Sequence, residues 1–167
     1  MRNALCVNQE SGNAGLRLRC RGFAAGLRRS GGSSREVHID VQDPDQAQRR
    51  IANAVTTGGT VDGLITLGPG GAAPALAALR AGGLDDRVRL ATFDLSPDVL
   101  EAVRDGQMLF AVDQQPYLQG YLPIVLLAER TRHLLFPADG ELIPTGPRFV
   151  TRANAQRVID LSRRGFR

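Results

Sequence analysis

Residues 88–121, VRLATFDLSPDVLEAVRDGQMLFAVDQQPYLQGY, decide the fold, because they combine two apolar strands with a capped helix between them. Ser96 is a favourable N-cap, and Pro97 suits the first helical position. Apolar residues then recur at helical spacing as far as Asp105-Gly106, a typical helix end. The stretch therefore predicts a strand, a helix and a second strand, followed by another helix.

Polar residues follow both strands of this stretch. Asp94 comes after the first strand, and Gln114 comes just after the second, which is predicted at residues 108–112. In an open parallel sheet, ligands bind outside the carboxyl ends of the strands. Asp94 is therefore a candidate to accept hydrogen bonds from paired hydroxyl groups. The alternatives are a cap partner for the following helix at Asp94 and a simple strand-ending polar residue at Gln114.

The same alternation of strand and helix continues on both sides of residues 88–121. It predicts an α/β fold with an open parallel sheet, helices on both faces and right-handed crossovers. The remaining strands are predicted at residues 3–7, 37–41, 63–67 and 148–151, and the remaining helices at residues 14–27, 44–55, 72–81, 117–135 and 154–162.

Length and composition favour a single domain and argue against nucleic-acid binding. The chain has 167 residues, of which 43% are hydrophobic, enough to form a core. All 21 basic residues are scattered arginines, the net charge is only +4, and no basic-aromatic pattern is present. Neither a signal peptide nor an apolar stretch long enough to span a bilayer is found, so the sequence as written predicts a cytoplasmic location.

No pattern in the sequence indicates catalysis, a metal or a cofactor. A nucleophile elbow, a Walker loop and clusters with metal-ligand spacing are all missing from the sequence. The loop of residues 68–71, GPGG, opens a helix but lacks the Lys-Ser/Thr of a P-loop, so a tight turn is favoured over a phosphate site. The sequence therefore predicts a protein that is not an enzyme and holds no cofactor.

Cys6 and Cys20 are the only two cysteines in the sequence. Cys6 falls on the first predicted strand and Cys20 on the helix that follows it, and these two elements can pack together. The pair forms either a disulfide in an oxidising compartment or two buried free thiols, and the sequence leaves both interpretations open.

Several motifs resemble those of one family, the type I periplasmic sugar-binding proteins of ABC transporters. Residues 93–121 follow that family's order of Phe-Asp, a helix ending in Asp-Gly, a strand, Gln-x-Pro and a glycine in the next helix. Residues 17–23, RLRCRGF, are similar to its R-x-R-x-x-G-F helix. Effector domains of LacI-type repressors share the fold. The resemblance implies one lobe of a two-lobed sugar-binding protein, since family members are much longer than this chain.

The resemblance also implies domain boundaries. Residues 1–115 and 144–167 correspond to the second, C-terminal lobe, and residues 116–143 form a helix and connection that belong to the first lobe in family members. The rest of the first lobe has no counterpart in this sequence. Residues 117–127 are apolar nearly all round, so we expect this helix to be covered in a homodimer or to fold back onto its own sheet.

Roles for individual residues follow from the same resemblance. Arg17 is expected to point to the sugar, because a guanidinium fork can donate to two adjacent oxygens; a solvated surface arginine is the alternative. Gln114 matches the hinge glutamine that holds the ligand through its amide, beside Asp94. Phe93 is expected either to stack on the sugar ring or to lie in the core.

One side of the implied site departs from the family. Gly68 and Pro69 stand where ribose-type members have an asparagine and an acidic residue, so these two positions offer no side-chain hydrogen bonds. Asn8, Glu10 and Asn13, on a neighbouring loop, are candidates to contribute instead, although Asn13 is also a good cap for the next helix.

The sequence therefore predicts a non-enzymatic component of an ABC import system that binds a sugar or polyol and is reduced to one lobe. Its implied partners are an ABC permease and a second copy of itself, and the family resemblance places it in the periplasm or at the cell surface. The alternatives are the effector-sensing half of a LacI-type regulator and a truncated product without independent ligand binding.

Overall fold

The computed structural model describes residues 1–57, 59–137 and 141–166 and shows one sheet with helices on both faces. Positions 58 and 138–140, in two of the predicted connections, lie outside the described residues. In chain order the elements are β1 (Asn3–Asn8), α1 (Ala14–Arg29), β2 (Ser33–His38), α2 (Pro44–Thr56), β3 (Gly63–Thr66), α3 (Pro69–Ala81), β4 (Arg89–Phe93), α4 (Pro97–Arg104), β5 (Phe110–Asp113), α5 (Pro116–His133), β6 (Arg148–Thr151) and α6 (Ala155–Arg163).

The six strands have the order β2-β1-β3-β4-β5-β6. Strands β1 to β5 pair in parallel, which confirms the predicted α/β fold. The edge strand β6 differs from the prediction, because it pairs antiparallel with β5 and places Arg148 opposite Asp113. The chain leaves the sheet at the carboxyl end of β5 and returns beside that same end. Strand β6 therefore runs in the direction opposite to β5.

The core lies on both faces of the sheet. Along each central strand, successive side chains point to opposite faces. The larger core cluster combines one set of strand residues with the apolar sides of α2, α3, α4 and α6. The smaller cluster lies beneath α1, where Leu16 and Cys20 pack with Cys6, Ile65 and Ala91 of the strands. Cys6 and Cys20 form a disulfide, so the disulfide interpretation of this pair is confirmed.

Local capping signals place several helices correctly. The Ser96 hydroxyl accepts a hydrogen bond from the Val99 N–H, and α4 begins at Pro97 as predicted. The Asp43 carboxylate accepts from the Gln46 N–H and caps α2 in the same way. These starts depend on the chemistry of a few adjacent residues, which is why the sequence alone predicts them.

Two elements begin several residues earlier than the sequence predicts. Strand β2 begins at Ser33, although the prediction was residues 37–41, because it is a largely exposed edge strand whose pairing with β1 sets its bounds. Helix α3 begins at Pro69, inside the predicted glycine-rich turn, with Gly68 as its N-cap.

Helix α5 stands apart from the core. It has no buried residue, and Tyr121, Ile124 and Leu127 expose half or more of their surface. Leu122 and Leu126 line a groove that α5 forms with the returning chain around Leu142. The expectation that this helix folds back onto its own sheet is therefore wrong. Within the described residues, none of the helices has the length and apolarity that a membrane span requires.

Candidate functional site

The carboxyl ends of β4 and β5 bring Asp94 and Gln114 together. The parallel register pairs Phe93 with Val112, so the carboxyl ends of the two strands lie side by side. The Asp94 N–H continues the ladder by donating to the Val112 carbonyl at 2.9 Å. The side-chain amide of Gln114 then donates from Nε2 to Asp94 Oδ1. Two candidates that are 20 residues apart in sequence thus lie in contact.

Asp94 has a backbone conformation that turns the chain out of the sheet. Its φ is 63°, in the left-handed region that aspartate tolerates better than most residues. The helix that follows is capped by Ser96, and the carboxylate of Asp94 contacts Gln114 and Arg19 instead. The capping alternative for Asp94 therefore does not describe its contacts. Its side chain remains 37% exposed, which leaves the carboxylate accessible from solvent.

Arg19 of α1 completes the site, although it is not among the binding residues predicted from the sequence. Its Nη2 donates to Gln114 Oε1 at 2.9 Å, and its Nη1 donates to the Leu67 carbonyl at 3.2 Å. The guanidinium carbon lies 4.7 Å from the centroid of the Phe93 ring, and Nη1 is 3.7 Å from Asp94 Oδ2. We call Arg19, Phe93, Asp94 and Gln114 the strand-end cluster.

Phe93 packs against the core, one of the two interpretations that the sequence left open, and also contacts Arg19. The ring is half-buried and packs against the smaller core cluster beneath α1. The same ring carries the Arg19 guanidinium, a cation–π contact that holds the charge close to Asp94. Phe93 therefore supports Arg19 from the core side, and its stacking on a ligand stays a prediction.

The structure does not bring Arg17 and Asn13 into the strand-end cluster. The Arg17 Nη1 donates to the Ser11 carbonyl at 2.8 Å, in the loop before α1. Asn13 caps α1, and its Oδ1 accepts from two backbone N–H groups of the first helical turn. The capping role of Asn13 is thus confirmed, while the ligand roles of both residues stay predictions.

Gln9, which is also absent from the predicted binding residues, lies where Gly68 offers no side chain. A Cβ on Gly68 would lie only 2.8 Å from Gln9 Nε2, so the glycine makes room for this amide. The Gln9 Oε1 is buried without a hydrogen-bond partner among the described residues. Asn8, by contrast, is fully buried, and its side chain bonds to Glu36 and to the Glu10 N–H.

The chain segments that lead to and from α5 run side by side and fix the backbone of Gln114. Thr145 Oγ1 donates to the Gln114 carbonyl at 3.1 Å, and Gln119 Nε2 donates to the same carbonyl at 2.8 Å. The Gln115 amide donates to the Thr145 carbonyl, and the Gln115 N–H donates to Asp113 Oδ1 at 2.7 Å. These bonds hold the Gln114 side chain toward Asp94.

A cavity of about 610 Å³ opens beside the strand-end cluster. Asp94 and Gln114 form part of its wall, and the rest comes from α4, α6 and the start of α5, including Leu100 and Ile159. A volume of this size is within the range of small-molecule sites. The two polar residues therefore line the cavity and also contact Arg19.

The cluster provides both donors and acceptors of hydrogen bonds. Asp94 accepts, Arg19 donates, and the Gln114 amide does both. Across residues 1–57, 59–137 and 141–166, no group of three or more His, Cys, Asp or Glu side chains is placed to hold a metal ion. The hydrogen-bond donors and acceptors of the strand-end cluster suit a ligand with several hydroxyl groups, because hydroxyl groups also donate and accept.

Comparison with known proteins identifies the class to which this fold and site belong. The family model of the periplasmic binding protein domain matches residues 3–132, and the chain belongs to this family. The resemblance of residues 17–23 and 93–121 to sugar-binding proteins of ABC transporters is therefore confirmed, and the chain forms a single lobe.

Solved structures resemble the chain along nearly its whole length. A carbohydrate transporter from Acidothermus cellulolyticus, solved in complex with myo-inositol, is 30% identical with a TM-score of 0.84, covering 99% of this chain and 56% of that protein. A periplasmic ribose ABC transporter from Conexibacter woesei shares the fold at 21% identity and a TM-score of 0.82. The match covers 95% of this chain and 53% of that protein.

A relative also matches part of the chain in sequence. The xylose/arabinose-binding protein XylF of Sulfolobus acidocaldarius is 38% identical over 73 residues, which are 42% of this chain and 17% of that protein. The chain thus spans little more than half the length of the similar solved structures and a smaller share of this relative.

Proposed function

We propose that this chain provides one wall of a sugar- or polyol-binding site in a solute-binding protein of an ABC importer. The observation that carries the proposal is the strand-end cluster, in which Arg19, Asp94 and Gln114 converge beside Phe93 at the carboxyl edge of the sheet. The similar protein from Acidothermus cellulolyticus is described with myo-inositol, so a cyclic polyol is the first ligand to test.

Each polar residue of the cluster has a separate role in this proposal. Asp94 accepts hydrogen bonds from two adjacent hydroxyls, and such charge-assisted bonds are stronger than neutral ones. Arg19 donates to a ligand oxygen, while Gln114 binds one hydroxyl through its amide. Contacts among these three side chains arrange the cluster before binding, and a ligand then replaces part of these contacts. Arg17 and Asn13 are proposed to contact the ligand from the α1 side.

The open position of the cluster limits the affinity of this chain alone. Small-molecule sites usually bury roughly 70–90% of the ligand surface. One wall covers the ligand from one side only. We therefore expect weak binding, with a millimolar Kd, unless a second wall closes over the ligand. By the same family relationship, we propose a location in the periplasm or at the cell surface, an ABC permease as partner, and no catalytic step.

The experiment that tests this function is a titration with myo-inositol, xylose and arabinose, in which the thermal unfolding temperature is measured at each ligand concentration. A ligand present at about 100 times its Kd stabilises the folded chain by about 2.7 kcal/mol. Asp94→Asn removes the charged acceptor while keeping the side-chain size and tolerance of positive φ, and should abolish the shift. Asp98→Asn, on the exposed first turn of α4, is the matched control and should retain it. If no sugar stabilises the unmodified chain, independent ligand binding is refuted.

We also propose that a second copy of the chain covers α5 in solution. Ile124 and Leu127 are 70% and 57% exposed, and other large apolar side chains of α5 and the returning chain are exposed beside them. Full burial of one such side chain contributes about 1.5–3 kcal/mol, so a self-complementary contact along the helix has ample driving force. The segment 116–143 would then act as an assembly element rather than as part of the binding wall.

Light scattering on a size-exclusion column tests this assembly. The unmodified chain should elute as a dimer at micromolar concentration, and the double variant Ile124→Gln/Leu127→Gln should be monomeric. Leu18→Gln, an equally exposed leucine on α1, is the control that should leave the mass unchanged. A monomeric mass for the unmodified chain at all concentrations would show that no second copy of the chain covers α5.

A further inference from the structure

The Cys6–Cys20 disulfide lies directly beside the residue that organises the strand-end cluster. Cys20 is the neighbour of Arg19 in α1, and Cys6 lies on β1, where its register partners are Glu36 of β2 and Ile65 of β3. Both cysteines are at least 95% buried. The bond therefore ties the backbone next to Arg19 to β1, a strand with neighbours on both sides.

Helix α1 packs against β1 and β2 and shares a small core cluster with the sheet. Leu16 and Cys20 are its only buried residues among those described, and Phe23 packs against the same small cluster. The helices on the other face, by contrast, share one large core with the sheet. The disulfide adds a covalent link to this packing, at the residue next to Arg19, and so helps to set the distance and rotation of α1 relative to the strands.

Arg19 is sensitive to that distance because its contacts come from three different strand ends. The guanidinium reaches Leu67 after β3, Phe93 at the end of β4 and Gln114 after β5. Its two hydrogen bonds measure 2.9 and 3.2 Å, and a shift of α1 by about 1 Å would lengthen both beyond hydrogen-bonding distance. A long flexible side chain loses its single orientation once such contacts are lost.

We propose that the Cys6–Cys20 disulfide positions Arg19, and that the oxidation state of this pair therefore controls whether the strand-end cluster is assembled. Reduction takes two electrons and two protons from a dithiol, which becomes a disulfide itself, and leaves Cys6 and Cys20 as thiols. Helix α1 then moves away from the sheet, and Arg19 leaves Phe93 and Gln114. The consequence for ligand affinity rests on the proposed function, whereas the movement of Arg19 does not.

The position of Arg19 can be measured without a ligand. In chain labelled with ¹⁵N-arginine, the Nε–H signal of Arg19, assigned with Arg19→Lys, should be displaced by the ring current of Phe93 and lose this displacement in Phe93→Leu. Dithiothreitol, or the variant Cys6→Ala/Cys20→Ala, should move the signal to the same undisplaced position. Cys6→Val/Cys20→Ala refills the apolar space with a larger side chain and provides a second form without the disulfide, which counts here with the reduced forms. A signal that stays displaced in the folded reduced forms, or unfolding of all of them, overturns the proposal.

A titration with myo-inositol separates this proposal from the proposed function. The oxidised chain should bind at least tenfold more tightly than the reduced chain, and in Arg19→Ala the oxidation state should make no further difference. Equal affinity of oxidised and reduced chain, with a displaced signal in both, refutes the positioning role. If neither form binds, the function fails, and the arginine signal still decides whether the disulfide positions Arg19.

Discussion

Replacing Arg19 and Arg17 separately by alanine tests the structural difference between these two arginines. Arg19→Ala removes the charged hydrogen bond to Gln114, the hydrogen bond to the Leu67 carbonyl and the contact with Phe93, together worth about 2 kcal/mol at this partly exposed site. The ion pair with Asp94 adds little at 3.7 Å and partial exposure. Arg17→Ala removes one hydrogen bond to the Ser11 carbonyl, worth about 0.5 kcal/mol.

The free energy of unfolding, measured by urea denaturation and circular dichroism, should therefore fall by about 2 kcal/mol for Arg19→Ala and about 0.5 kcal/mol for Arg17→Ala. For a chain of this size the first loss lowers the Tm by about 4–8 °C. Both changes replace arginine by alanine inside the same helix, so helix propensity cancels in the comparison. An equal loss in the two variants, or a larger one for Arg17→Ala, would refute the assignment of Arg19 to the cluster.

Three further changes probe the supports of the site. Cys6→Ala/Cys20→Ala opens a loop with a sequence separation of 14 and should cost about 3 kcal/mol, seen as a lower urea midpoint than that of the oxidised chain. Ser96→Ala removes the cap of α4 and should cost about 1 kcal/mol in the same assay; no measurable loss would contradict the observed cap. Gly68→Ala should cost less than about 1 kcal/mol, because its Cβ meets only the flexible end of Gln9, and a larger loss would indicate a backbone clash.

The parts of the fold that depend on adjacent residues could be predicted from the sequence. Ser96 with Pro97, and Asp43 with Pro44, start helices through their own hydrogen bonds and fixed φ angles. The rule for strand ends in parallel sheets also singled out Asp94 and Gln114, which the structure places in contact. Here a local pattern and a general property of the topology were sufficient.

The choice between Arg17 and Arg19 could not be made in this way. In a helix these positions are about 200° apart, and they flank the buried stripe of Leu16 and Cys20 on opposite sides. Only the packing of α1 on the sheet decides which flank faces Phe93. The direction of β6 and the partner of Gly68 depend on tertiary structure too, since both follow from where distant segments return to the sheet.

The paired segments at Gln114 and Thr145 make residues 116–143 comparable to an insertion into an otherwise continuous lobe. Both ends of the segment meet at one edge of the sheet, joined by the bonds from Thr145 and Gln115, and β6 continues beside β5. A short linker could therefore replace the segment without lengthening any connection. The same junction is a natural place to graft a fluorescent reporter, because its two attachment points adjoin Gln114 and would sense any ligand that displaces this side chain.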